Sequence, residues 1–269
     1  MTSSLNVLTG FRLAFRARFG WLMAGALTIL VLTTLLSAQF SGRQPSTVAL
    51  DIGLSVIRLL LPFVLVIMIQ EVLYREFERR YFLNTFSYPH PRQSLLLGRF
   101  IVVALLTLGL LLILAFALAL LTWLVEQGYA QATPVGLGVH YIVTVAFIAL
   151  DLLLLTAVAS LLAVVASTPS FVLIGTLGFM LVARSFSAIV ELLMRNAFVV
   201  SDAESYRSGV GLLGYLLPDL GALDVRMVTL YGKMELLPAD WPWLVVSSLI
   251  YTVGLLALAV WALQRKRFD

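Results

Sequence analysis

Residues 100–125 read FIVVALLTLGLLLILAFALALLTWLV and contain no charged side chain. A helix of about 20 apolar residues crosses the hydrocarbon core of a bilayer, and this run is longer. Similar runs recur along the chain, in which 61% of the 269 residues are hydrophobic and 12% are charged. Because the runs are continuous rather than alternating, they indicate helices and not a β-barrel. The sequence therefore predicts an all-α membrane protein with one transmembrane domain, residues 1–269.

Six transmembrane helices are predicted. They run from Trp21 to Ala38, Val48 to Gln70, Phe100 to Val125, Val139 to Ala166, Phe171 to Leu193 and Pro242 to Leu263. Residues 1–20 precede the spans, with apolar side chains at helical spacing from Leu5 to Phe19, which predicts an amphipathic interfacial helix. Residues 195–241 lie between spans five and six, and their apolar stretches are too short to span, so we expect short outer helices there.

Basic residues fix the expected orientation, because short cytoplasmic loops carry an excess of Lys and Arg. With the amino terminus inside, the cytoplasmic residues are Arg12, Arg16, Arg18, Arg75, Arg79, Arg80, Arg92, Arg99, Arg265, Lys266 and Arg267, and the outer ones are Arg43, Arg195, Arg207, Arg226 and Lys233. Both termini are therefore predicted to face the cytoplasm of a bacterium, with the chain multi-pass in its inner membrane. The high pI is about 9.6, and the basic residues responsible for it cluster on one predicted side of the membrane. We therefore expect the bilayer and not nucleic acid as a partner.

The sequence contains few of the residue patterns that are typical of enzyme active sites. The chain has no cysteine, which excludes disulfides, thiolate chemistry and Cys-ligated metals. Its two histidines, His90 and His140, lie on opposite predicted sides of the membrane, so they form neither a metal site nor a catalytic triad. Neither Lys233 nor Lys266 follows a Gly-rich phosphate-binding turn. Residues 209–214 match G-x-G-x-x-G, but no strand precedes them. We expect no catalytic residue, metal or cofactor in this chain.

The segment 71–99 between spans two and three is the most informative part of the sequence. Glu71 with Arg75 and Glu76 with Arg80 form i,i+4 pairs that favour a helix continuing from span two. That helix ends by Ser87, because two prolines follow it. The charge pattern leaves two interpretations open: a docking surface for a cytoplasmic partner, with exposed aromatic residues, or a solvated helix whose arginines only set topology.

Residues 76–99 read EFERRYFLNTFSYPHPRQSLLLGR and resemble the cytoplasmic loop of ABC-2-type transporter permeases. In that family a charged helix leads through a short apolar run to Pro, then Arg, then a Leu-rich stretch ending in Gly and a basic residue. The family also has an amphipathic amino-terminal helix, six spans and its largest outer segment between spans five and six. Arg80-Tyr81 departs from the family's frequent Gly-Thr pair, and His90-Pro91 adds a second proline.

The resemblance implies a dimer of permease subunits, identical or different, driven by two cytoplasmic ABC ATPase subunits that hold ATP and Mg. The loop is then the coupling helix that docks on the ATPase. Its implied contact residues are Glu71, Arg75, Glu76, Glu78, Arg79, Arg80, Tyr81, Phe82, Phe86 and Arg92. Export of a hydrophobic or amphipathic substrate is implied, and a role in maturing an envelope protein stays open.

Ionisable residues inside predicted spans include Arg58, Asp151, Arg184 and Glu191. Counted at about 1.5 Å per residue from the outer ends, the first three lie roughly 10 to 15 Å deep. Each would cost about 2.5 to 3.5 kcal/mol if it faced lipid, so Asp151 is expected to pair with Arg184, Arg58 or both. This polar layer either fixes helix packing or lines a substrate pathway or subunit interface.

Two other functions remain open from the sequence. Asp151 and Glu191 are the intramembrane carboxylates that a proton-coupled secondary transporter would need. A membrane component of an envelope assembly that transports nothing would retain the same helices.

The predicted orientation can be tested by labelling introduced cysteines, because the native chain contains none. In intact cells, a membrane-impermeant thiol reagent is expected to label Arg207→Cys and to leave Arg79→Cys unlabelled until the cells are opened. The opposite pattern, with only position 79 labelled, contradicts the predicted topology.

Overall fold

A computed structural model describes residues 10–11, 19–74, 92–128, 135–166, 168–195 and 218–265. Within these ranges the chain forms helices joined by turns and loops, with no strand. The helices are α1 (Phe19–Phe40), α2 (Pro45–Ile69), α3 (Arg92–Gly128), α4 (Val139–Val165), α5 (Pro169–Arg195), α6 (Arg226–Tyr231) and α7 (Trp241–Arg265). A π-helical turn, Gln70–Tyr74, extends α2, and a 3-10 turn, Met234–Leu236, follows α6.

Among the described residues, five helices are long and apolar enough to cross a membrane, which indicates a multi-pass membrane protein. They are Phe19–Phe40, Pro45–Tyr74, Gln93–Gly128, Val139–Val165 and Trp241–Arg265. The remaining predicted span coincides with α5, but only its shorter apolar part, Pro169–Ser185, is described with side chains. The sixth span therefore stays a prediction.

Most of the predicted interfacial helix lies outside the described residues. Gly10 and Phe11 are helical, and Gly10 is buried against α3. A Cβ atom added to Gly10 would lie 2.7 Å from Nη1 of Arg99 and 2.8 Å from Cγ2 of Val102. This part of the amino-terminal segment therefore packs on the helix bundle. Arg99, predicted to be a loop residue, is itself buried within α3, which begins at Arg92.

Helix α4 lies at the centre of the bundle. It packs against α2, α3, α5, α6 and α7, while α1 packs on α2 and α3. Its buried residues cover most of its circumference, whereas α1 and α7 bury only a narrow side. The outward sides of α1 and α7 carry large exposed apolar residues, which suit contact with lipid.

One end of the bundle, here called the α6 end, is where α2 and α4 begin. The backbone N–H of Gly136, just before α4, donates to the carbonyl of Thr229 in α6 over 3.0 Å. The hydroxyl of Thr229 donates back to the carbonyl of Gly136 over 2.9 Å. The described part of the predicted outer segment, 218–240, is thereby folded onto the start of α4. It contains the short helix α6 and the 3-10 turn Met234–Leu236, and their location on the outer side stays a prediction.

The opposite end of the bundle joins α2 to α5. The side-chain amide of Gln70 donates a hydrogen bond to the carbonyl of Pro169 over 2.8 Å. Gln70 opens the π-helical turn that ends α2, and Pro169 is the first residue of α5. In the predicted orientation this end, where the described part of α2 ends at Tyr74, faces the cytoplasm.

Gly53 allows α2 and α3 to pack closely. A Cβ atom added there would overlap Cδ1 of Leu118, which is fully buried in α3, and would lie 2.9 Å from Cδ2. We expect Gly53→Ala to destabilise the protein by about 1 to 3 kcal/mol through overpacking. Gly109→Ala in α3 is the matched control, because nothing lies within 4 Å of the added atom.

Thermal unfolding in detergent measures both variants, and Gly53→Ala should cost less stability when Leu118 is already replaced by Ala, because the overlapping side chain is gone. Equal melting temperatures for the Gly53 and Gly109 variants contradict this packing.

Candidate functional site

One face of α2 carries a polar stripe. Asp51, Ser55 and Arg58 stand at i, i+4 and i+7, which places them on the same side of a helix. The hydroxyl of Ser55 donates to the carbonyl of Asp51 over 2.8 Å, so the hydroxyl is partly satisfied within the helix. Pro62 follows one turn after Arg58. This stripe faces the α6 end of the bundle and the polar residues that gather there.

Pro62 leaves a backbone carbonyl of α2 without its helical partner. Proline has no N–H, so the carbonyl four residues earlier, that of Arg58, loses its usual hydrogen bond. In a membrane a freed carbonyl must find another donor. Nη1 of Arg184, on α5, donates to this carbonyl over 3.2 Å. The proline therefore creates an acceptor that ties α5 to α2.

Asp151 lies between two arginines. Its Oδ2 atom is 2.6 Å from Nη2 of Arg184 and 3.8 Å from Nη2 of Arg58. The Asp151 side chain is only 1% exposed, and it lies near the middle of α4. Three helices thus meet at one carboxylate: α2 through Arg58, α4 through Asp151, and α5 through Arg184.

The ion pairs continue from Arg58 to the surface. Nη1 of Arg58 contacts Oδ2 of Asp224, and the same oxygen lies 3.3 Å from Nε of Arg226. Nη1 of Arg226 is 3.1 Å from Oδ1 of Asp51. We call this alternating series the charge ladder. Its members in order are Arg184, Asp151, Arg58, Asp224, Arg226 and Asp51.

The aspartate side chains of the charge ladder become more exposed from the interior to the surface. Side-chain exposure is 1% for Asp151, 26% for Asp224 and 43% for Asp51. Loss of one charged partner should therefore lower stability most at the buried end, because an unpaired charge is costly in a low-dielectric interior and cheap near water. With three arginines and three aspartates, the ladder is neutral as a whole, which suits its position in an apolar bundle.

Three polar atoms at the buried end have no hydrogen-bond partner among the described residues. They are Oδ1 of Asp151, Nε of Arg58 and Nε of Arg184. The first is an acceptor and the other two are donors. Buried polar atoms seldom lack a hydrogen bond. These three atoms therefore mark a place where a water molecule, an ion or a polar ligand group could bind.

The structure brings together three of the four residues predicted as an intramembrane layer, namely Arg58, Asp151 and Arg184. The side chain of Glu191 lies outside the described residues, although its backbone belongs to α5. The function of the layer stays a prediction.

Sequence reasoning missed the outer half of the ladder: Asp51, Asp224 and Arg226. The i, i+4, i+7 spacing from Asp51 to Arg58 was a usable signal for the first of them. Asp224 and Arg226 had no such local pattern with α2, because their partners there, Arg58 and Asp51, lie far away in the chain.

Most of the predicted ATPase-coupling residues lie outside the described residues. This holds for Arg75, Glu76, Glu78, Arg79, Arg80, Tyr81, Phe82 and Phe86, and for the side chain of Arg92. Glu71 is described: it stands in the π-helical turn at the end of α2, half-buried beside buried Val72 and Leu73. The coupling role stays a prediction.

No protein-family model matches this sequence, and no curated protein matches it.

The two ends of the ladder should respond differently to loss of charge. Asp151→Asn leaves Arg58 and Arg184 without their shared buried carboxylate, so we expect a loss of about 3 to 5 kcal/mol in stability. Asp51→Asn is the matched control at the exposed end and should cost about 0 to 1 kcal/mol. Thermal unfolding in detergent measures both.

Adding Arg184→Gln to Asp151→Asn should recover part of the stability, because one of the two uncompensated charges is removed. If Asp151→Asn and Asp51→Asn are equally mild, the buried ion pairs do not hold the helices together.

Proposed function

We propose that this chain is the permease subunit of an ABC-2-type, ATP-driven exporter, with the ATPase on a separate chain. The observation that carries the proposal is the buried ion-pair junction of Asp151 with Arg58 and Arg184, inside helices that are mostly apolar. Ionisable side chains within membrane spans are rare and typically mark substrate or ion pathways. The family-like pattern of residues 76–99 supplies the ATP-driven part of the proposal.

Helix α2 provides a mechanical link between the two predicted functional regions. Its π-helical end leads directly into the segment 75–91, the proposed coupling segment, and its middle carries Arg58. The Gln70 to Pro169 hydrogen bond ties that end of α2 to the start of α5, which carries Arg184. A push on the coupling segment would therefore move both guanidinium groups relative to Asp151 on α4. Switching transitions use such rigid helix shifts between alternative ion-pair arrangements.

The working complex in this proposal contains two permease subunits and two cytoplasmic ABC ATPase subunits. ATP and Mg bind to the ATPase chains. The permease lies in a bacterial inner membrane with both termini in the cytoplasm, so the α6 end faces outward. The charge ladder then lies in the outer half of the membrane, where an exported molecule would leave.

The proton-coupled alternative requires a carboxyl group that gains and loses a proton during each cycle. Asp151 is instead engaged by two guanidinium groups, and the described ladder is neutral without any added proton. This arrangement favours a permanent ion pair over a proton carrier. An experiment distinguishes the proposed permease from a scaffold without transport activity, because such a scaffold would not stimulate an ATPase.

Charge reversal in the coupling segment tests the proposal. Glu76→Lys with Glu78→Lys should release the partner ATPase and lower ATP hydrolysis by the complex at least tenfold, while the permease keeps its melting temperature. The matched control is Glu235→Lys with Asp240→Lys, which reverses two exposed acids at the α6 end. Co-purification and ATP hydrolysis in nanodiscs provide the measurements.

If the Glu76 and Glu78 variant retains its ATPase and full hydrolysis, the segment does not couple. Loss of the ATPase in the control variant as well would mean that changed net charge, and not the docking surface, is responsible.

A further inference from the structure

Asp224 occupies a position between two arginines from different parts of the fold. One of its oxygens, Oδ2, contacts Nη1 of Arg58 on α2 and lies 3.3 Å from Nε of Arg226 at the start of α6. Two guanidinium groups that converge on one oxygen form the arrangement used to bind carboxylates and phosphates. Asp224 itself belongs to the short stretch 218–225 and is about one quarter exposed, at 26%.

Removing the Asp224 carboxylate would leave an excess positive charge at Arg58. The six-membered ladder is neutral, so it carries a net charge of +1 without this aspartate. The other carboxylate near Arg58 is a weak substitute, because Asp151 Oδ2 is 3.8 Å away and already accepts from Arg184 at 2.6 Å. Arg226 keeps Asp51 at 3.1 Å. Another anion could therefore take the place of Asp224.

Arg58 also has unused hydrogen-bonding capacity. Its Nη2 donates to the carbonyl of Leu220 over 3.3 Å, but its Nε is buried without a partner among the described residues. A carboxylate on the chain at position 224 does not reach this donor. A phosphate group has three terminal oxygens, so it has enough acceptors to contact Nη1 of Arg58 together with Nε of Arg226.

An apolar stripe on α2 runs beside these arginines. Exposed Val48, Ile52, Leu59 and Phe63 lie about a quarter turn around the helix from the stripe of Asp51, Ser55 and Arg58. These side chains belong to a candidate membrane span, so an alkyl chain of the bilayer region can lie against them. A molecule with an anionic head at Arg58 and Arg226 and an alkyl tail on this stripe would satisfy both surfaces.

We propose that Arg58 and Arg226 form a binding site for the anionic headgroup of an amphiphile, with Asp224 as an internal carboxylate that occupies the site until the ligand displaces it. The ligand class is a phosphate headgroup with an alkyl chain. The part of this inference that makes the ligand an exported substrate rests on the proposed function, whereas the binding itself does not require an ATPase.

Dodecyl phosphate is the probe, titrated into the full chain in neutral dodecyl maltoside micelles and followed by calorimetry. The wild-type chain should bind it, and Asp224→Asn should tighten binding about tenfold, because the internal competitor is gone. Arg226→Gln should weaken binding about tenfold. Asp240→Asn is the control, since it removes an exposed acid near the start of α7 that lies outside the ladder, and it should leave the affinity unchanged.

Unchanged or weaker binding by Asp224→Asn overturns the proposal. If that variant does not purify as a folded protein, Asp51→Asn serves instead: it removes the second carboxylate of Arg226 and should tighten binding about twofold to threefold, and no change there overturns the proposal equally. Inorganic phosphate that binds as tightly as dodecyl phosphate also overturns it, because the apolar stripe would then contribute nothing.

Nanodiscs distinguish the two sources of such a ligand. Phosphatidic acid in the bilayer that competes with dodecyl phosphate supports the headgroup site and identifies a membrane lipid as the natural occupant. Undiminished binding in the same nanodiscs supports a separate amphiphile, as expected for an exported substrate. All these titrations are run without ATP or an ATPase, so a failure of binding leaves the coupling test of the proposed function intact.

Discussion

The carboxylate of Asp151 lies between the guanidinium groups of Arg58 and Arg184 in a bundle that is mostly apolar. A membrane interior supplies no water to solvate these charges, so each must be satisfied by another protein group. Pro62 adds to the constraint, because it frees the carbonyl of Arg58 and Arg184 donates to it over 3.2 Å. The relative positions of α2, α4 and α5 follow from these few contacts, and the stretch 218–226 is held to the bundle by the continuation of the same ladder.

The sequence was sufficient to predict the broad architecture. Long apolar runs predict helices strongly, since an α-helix is the structure that satisfies a single membrane-crossing segment by itself. The observed helix ends differ most from the predicted span ends where the amino-acid composition does not mark the end of a span. Helix α2 continues through a π-helical turn to Tyr74, and α3 begins at Arg92 rather than near Phe100. The amphipathic pattern near Gly10 predicted a surface helix, whereas Gly10 itself is buried against α3.

The candidate site was only half predictable. Arg58, Asp151 and Arg184 stand out because charge is expensive within apolar spans, and that cost alone implies that they pair with one another. Asp224 and Arg226 lie in a polar connecting segment, where charged residues are ordinary and carry no such signal. Their importance arises from tertiary contact with α2, which no local spacing encodes. The same reasoning explains why the sequence could not identify an internal carboxylate that occupies an arginine pair.

The proposed association with a separate ATPase is tested most directly by the mass of the complex that the tagged chain forms in the membranes of cells that produce it, measured by native mass spectrometry after gentle detergent extraction. We expect two ATPase subunits with a P-loop for every two copies of this chain or of this chain and a second permease subunit, in a complex that hydrolyses ATP. A chain that is extracted intact and folded, yet never in association with an ATPase, would contradict the proposed association.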